Sequence, residues 1–81
     1  MKLPIIRQAY KNANPEQLES ALTVLEAITE GRGITEEEMN VIGELITNIC
    51  GAMEVHQMVQ EGKRETEALN EFAKKVMGSV D

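Results

Sequence analysis

Apolar residues in this chain recur three and four positions apart in four separate stretches, the period of helices that each bury one face. In the first, Pro4 suits an opening helical position, where its missing N–H has no intrahelical role, and Ile6, Ala9, Tyr10 and Ala13 form a short stripe. The second opens on Asn14-Pro15-Glu16-Gln17, with Asn14 as the cap and Gln17 reaching back to it. Leu18, Ala21, Leu22, Leu25 and Ile28 follow on one side, and Gly31 is the expected stop, accepting left-handed dihedrals freely. Thr35-Glu36-Glu37-Glu38 reads as a second capping box, with acids on the positive end of the helix dipole. The helix it starts should run to about Glu61 and stop at Gly62, with Gly51 as the point near its middle where a kink or break would fall. A fourth helix enters through Lys63 to Thr66, carries Leu69, Phe72, Ala73, Val76 and Val80 on one face, and ends near Gly78. No stretch alternates apolar and polar residues as a strand would. The pattern predicts an all-α chain, a compact four-helix arrangement with helices near 4–12, 15–30, 35–61 and 65–77. Its connections are short enough to favour antiparallel neighbours.

The third helix dominates that picture. Ile42, Leu45, Ile46, Ile49, Ala52, Met53 and Val59 lie along one broad face, and Val41, Cys50, Val55 and Met58 widen it until little is left for water. Such a helix needs neighbours on more than one side. At ~26 residues and so ~39 Å, it is longer than the first and fourth helices can cover. A symmetric dimer that buries the remainder is the expected consequence. The contact face expected for it is the stretch from Cys50 to Val59.

Length limits the alternatives. With 81 residues the chain forms a single helical domain, 1–81, and buries roughly 60 to 65% of its unfolded surface, a modest margin that oligomerisation would relieve. One Tyr and one Phe leave the core to Leu, Ile, Val, Met and Ala, and five methionines favour an adaptable core or contact surface.

Charge changes the picture more. The net charge is −6, but residues 12 to 62 hold ten carboxylates against Arg32 alone, while Lys2, Arg7 and Lys11 and then Lys63, Arg64, Lys74 and Lys75 sit in the end segments. Nucleic acid would meet an acidic middle, which argues against it as a ligand. The ends are expected to pack beside the middle and neutralise it in part. No run approaches the ~20 apolar residues of a membrane span. The apolar residues between Lys2 and Arg7 are too few for a secretory signal, and one cysteine makes no internal disulfide, so a cytoplasmic protein is expected.

Chemistry-bearing residues gather on the third helix. His56, the single histidine, extends the stripe of Ala52, Met53 and Val59, where a charged ring would be costly; a hydrogen-bonded histidine that bridges helices is expected, and a switchable one at a subunit interface is the sharper alternative. Its helical neighbours Ala52, Met53, Val59 and Gln60 offer no convincing zinc ligand, and Cys50 faces another side, so no metal or cofactor is expected. Glu54 interrupts an apolar turn and should reach water or bridge to Arg7, Lys74 or Lys75. Glu54 and His56, two apart, diverge by about 200° and do not make an acid-base pair on their own. Cys50 reads as a small buried hydrophobe beside Ile49 and Ile46; Asn40, Glu44, Asn48 and Gln57 read as the solvated remainder. Gly43, Thr47 and Gly51, four apart, make a row of small residues expected to let another helix approach closely.

Met1-Lys2-Leu3-Pro4-Ile5-Ile6, Ile42-Gly43-Glu44-Leu45-Ile46 with Gly51-Ala52-Met53-Glu54-Val55-His56, and Glu67-Ala68-Leu69-Asn70 through Phe72 to Gly78-Ser79 together resemble a small uncharacterised bacterial family of all-helical proteins of unknown function. The resemblance spans nearly the whole chain and implies a stand-alone cytoplasmic protein, with an association to thiol-redox genes but no active site to transfer. The leading expectation is a non-enzymatic interaction or accessory module, homodimeric through the third helix and open to a protein partner. A small-molecule or metal site near Glu54 and His56, in reach of Cys50, Met53 and Met58 and open to enzymatic use, is the first alternative. An accessory to thiol-redox proteins acting through Cys50 is the second.

Overall fold

The computed structural model describes residues 2–78, which form four helices and no strand: α1 (Leu3–Asn12), α2 (Pro15–Thr29), α3 (Glu36–Gln60) and α4 (Glu65–Gly78). Val80, expected on the inner face of α4, lies outside the described residues, as does the side chain of Val76. The boundaries fall within about a residue of those the apolar pattern predicts, because the punctuation is chemical. Asn14 accepts from the Gln17 N–H while the Gln17 side chain accepts from the Asn14 N–H, and Thr35 and Glu38 exchange the same pair of bonds. α3 closes on Gly62 at φ 107°, where the Gly62 N–H donates to the Val59 carbonyl and Lys63 to that of Met58, a Schellman ending. α2 differs from expectation at this point. Glu30 is its C-cap, and the left-handed residue in the connection is Gly33 at φ 88° rather than Gly31.

α3 runs unbroken through Gly51 for 25 residues and touches each of the other helices. The backbone N–H of Lys2, at the start of α1, donates to Asn48, and the carbonyl of Ala13, just past its end, meets His56, so α1 lies parallel to the second half of α3. Among the described residues α2 packs on α3 and on neither α1 nor α4. The core therefore collects where three helices surround one: Ile6, Leu18, Ala52, Val55, Ala68, Leu69 and Phe72, flanked by Ala9, Tyr10, Ala13, Ile49, Met53, Met58 and Val59. Gly51 is its tightest point, since an added Cβ would come within 2.9 Å of Ile6 Cδ1 and 3.0 Å of Phe72 Cζ.

Among the described residues the first half of α3 is the more open one, with nothing within 4 Å of a Cβ built on Gly43. Met39, Val41 and Leu45 on α3 and Val24 and Ile28 on α2 are exposed there. The molecule is accordingly a slab, 43 × 32 × 16 Å, whose depth suits about two helix layers at the usual separation of roughly 8–10 Å. Its radius of gyration is 13.6 Å, against about 12 Å for a rounded domain of this length. This arrangement reverses one expectation about α3. The stretch from Cys50 to Val59 is occupied inside the chain, with Gly51, Ala52 and Val55 buried, and the uncovered apolar surface lies toward the opposite end.

Candidate functional site

Three surface features are built from the residues singled out above. The first is a groove of about 630 Å³ between α2 and the second half of α3, lined by Pro15, Leu22, Cys50, Met53, Glu54, His56, Gln57 and Gln60. Helical geometry explains the set: positions 50, 53, 54 and 57 form one row, and 56 and 60 form its neighbour. Cys50 is exposed here rather than buried among apolar residues, because the α2 side of α3 at this level is only partly covered. Cys50, Glu54 and His56, expected to point apart, thus share the lining of one groove.

The polar atoms of His56 and Glu54 are nevertheless engaged. The ring Nε2–H of His56 donates to the Ala13 carbonyl at 2.8 Å, and the Tyr10 ring lies against it, centroids 4.4 Å apart and planes tilted by 46°. His56 therefore ties the end of α1 to α3 and satisfies a carbonyl that helix geometry leaves open. Glu54 is bridged by Lys75 of α4, one of the three partners its position suggests. Hydrogen bonding to Glu54, followed by its charge, holds the Lys75 ammonium above the ordinary lysine range. Met53 and Met58 are half-buried and pack on the core. No three His, Cys, Asp or Glu side chains come together to hold a metal among the described residues.

The small-residue row is corrected by its surroundings. Gly51 alone sits at a close approach; nothing lies within 4 Å of a Cβ built on Gly43, and the exposed Thr47 hydroxyl donates to the Gly43 carbonyl of its own helix. The row faces other helices only at its lower end. Asn48 is the converse case. It is buried rather than solvated, with its side-chain oxygen accepting from the Lys2 N–H at 3.2 Å. Its position one turn before Ala52 carried the signal, since the inner row of α3 runs 48, 52, 55.

The second feature is a groove of about 580 Å³ between α1 and α4, with Leu3, Pro4 and Leu69 as apolar lining and Arg7, Lys11 and Glu65 as charged lining. Glu65 serves both cations, at 3.5 Å from Arg7 and 3.8 Å from Lys11. One carboxylate between two cations leaves a surplus positive charge.

The third feature is the open end of the α2–α3 hairpin. Val24 is 57% and Val41 56% exposed, with Ile28, Met39 and Leu45 beside them in sequence-periodic rows. Among the described residues no helix is long and apolar enough to cross a membrane.

Neither the search of curated proteins nor that of solved structures gives a match. The match that does exist takes in all four helices and the three features above at once, so it concerns the whole fold: the chain belongs to a family of unknown function, DUF6952, whose model matches residues 1–81.

Proposed function

We propose that this protein is a non-enzymatic helical interaction module that works as a homodimer, with the open end of the α2–α3 hairpin in the contact. The observation that carries the reading is apolar surface without cover. Five large apolar side chains, Val24, Ile28, Met39, Val41 and Leu45, stand between 39% and 57% exposed on one end of the molecule, more contiguous apolar surface than scattered single exposures would give. A reducing cytoplasmic setting suits a chain whose one cysteine is free and exposed.

A dilution series in light scattering or sedimentation equilibrium tests the reading. The expected result is a dimer at micromolar concentration that a combined Val41→Glu and Leu45→Glu substitution converts to a helical monomer. A wild-type chain that stays monomeric at the highest concentration overturns it. The ligand-binding alternative draws on the groove that Cys50, Glu54 and His56 share. It is the weaker reading, because His56 and Glu54 are already satisfied within the chain.

A further inference from the structure

The hairpin end and the α1–α4 groove are complementary in two respects. Residues 24 to 45, at the open end, carry six carboxylates against Arg32, with Glu37 one helical turn before Val41 and Leu45 one turn after it. Residues 2 to 12 carry three cations, Lys2, Arg7 and Lys11, and no carboxylate. The hairpin end thus offers an acidic rim around exposed aliphatic side chains. The groove offers Leu3, Pro4 and Leu69 edged by the under-neutralised pair of Arg7 and Lys11.

Position adds to chemistry. The Lys2 N–H is tied to Asn48, and Leu45 precedes Asn48 by about one turn of α3, so the mouth of the groove at Leu3 adjoins the start of the exposed α3 row. Leu3 and Ile5 are themselves exposed at this junction. A two-fold axis passing there carries each hairpin end toward the other copy's groove, which makes a closed pair rather than a filament.

We propose that in the dimer the acidic hairpin end of each copy seats in the α1–α4 groove of the other, its aliphatic side chains against Leu3, Pro4 and Leu69 and its carboxylates beside Arg7 and Lys11. This rests on the dimer reading above and adds which surface receives the hairpin. Opposite charge at the rim fixes the pairing and suppresses a face-to-face contact of two acidic ends.

Charge reversal on each side separates the alternatives. Arg7→Glu with Lys11→Glu, and Glu30→Lys with Glu37→Lys, are measured by sedimentation equilibrium alone and mixed in equal amounts. Each reversed variant is expected to weaken its own dimer at least about tenfold, since both of its contacts then oppose like charges. The mixture is expected to recover the dimer, because one contact is native and the other is the native pair inverted. Circular dichroism checks that each variant is folded. Should the acidic groove variant fail to fold, Arg7→Gln with Lys11→Gln replaces it, with a smaller weakening and a loss of salt dependence as the supporting result. If both variants dimerise as the wild type does, or if mixing restores nothing while the Val41→Glu and Leu45→Glu chain is still monomeric, the groove is not the receiving surface and the dimer reading stands alone. A wild-type monomer removes both.

Discussion

Two glycines on one helix show how far a residue's meaning depends on what stands beside it. Gly51 and Gly43 are alike in sequence and backbone, yet a methyl group at 51 meets Ile6 and Phe72 in the core, and one at 43 meets open space. Alanine at 51 must displace a buried ring and a fully buried isoleucine, at a cost of about 1–3 kcal/mol that outweighs its better helix propensity. Alanine at 43 keeps the propensity gain, up to about 1 kcal/mol. Thermal melts should therefore move in opposite directions, by about 4–8 °C for each kcal/mol. Asn48 gives a second test at this scale. Asn48→Ala removes the acceptor of a part-buried hydrogen bond from the Lys2 N–H, and urea unfolding should register a loss of about 1 kcal/mol. Gly51 could be suspected from its spacing, and the burial of Asn48 only from its place one turn before Ala52, a signal outweighed by the ordinary wetness of a helical asparagine.

α3 is set by its ends as much as by its apolar rows. Thr35→Ala removes the acceptor for the Glu38 N–H, and loss of this cap should cost about 1 kcal/mol, read as faster amide exchange in residues 36 to 40 before any change at Val55. The backbone N–H of Thr35 first, and its hydroxyl second, hold the Glu38 carboxyl below the ordinary glutamate range. The sign follows. A carboxyl depressed in the folded state adds stability above its unfolded pKa, and that contribution fades as pH falls through the folded value. Acidification should loosen the start of α3, and Glu38→Gln should flatten that dependence. Both capping boxes and the Gly62 ending were legible in the sequence because each is a contact between residues three to five apart. The row of Gly43, Thr47 and Gly51 was misjudged as a continuous edge because its upper part depends on whether another helix reaches it, and none does.

Across the whole molecule, stability is concentrated at one end. The fully buried side chains Ile6 and Val55 lie where α1, α3 and α4 meet, while the open end of the α2–α3 hairpin has two helices and little buried apolar surface. Hydrogen exchange of a dilute sample should show protection near global unfolding around Gly51 to Val55 and much weaker protection between Val24 and Leu45. Raising the concentration into the dimer range should protect the second region selectively. Uniform protection along α3 at all concentrations would contradict both the uneven core and the proposed contact. Charge follows the same division in part, with six carboxylates against Arg32 between residues 24 and 45 at the open end and every other cation in α1, α4 or the residues that lead into them. The bridge from Lys75 to Glu54 is the partial neutralisation of the middle this predicts, while Arg7 and Lys11 meet Glu65 of the other end segment.

The order and extent of the helices, their caps, the dominance of α3 and the separation of charge follow from the sequence, because each rests on local hydrogen bonds, a short-range period or a simple count. Which face of α3 is covered, and by what, was decided by packing. α1 and α4 both fall on its second half, burying Asn48, Gly51 and Val55 and leaving Val41 and Leu45 exposed. Packing also left Cys50 open in the α2 groove, joined His56 to Ala13 and paired Glu54 with Lys75 among the three cations available to it. A broad apolar face states that neighbours are needed; only the tertiary arrangement, in which loop lengths and the competition of several helices for one surface are resolved together, states where they are missing.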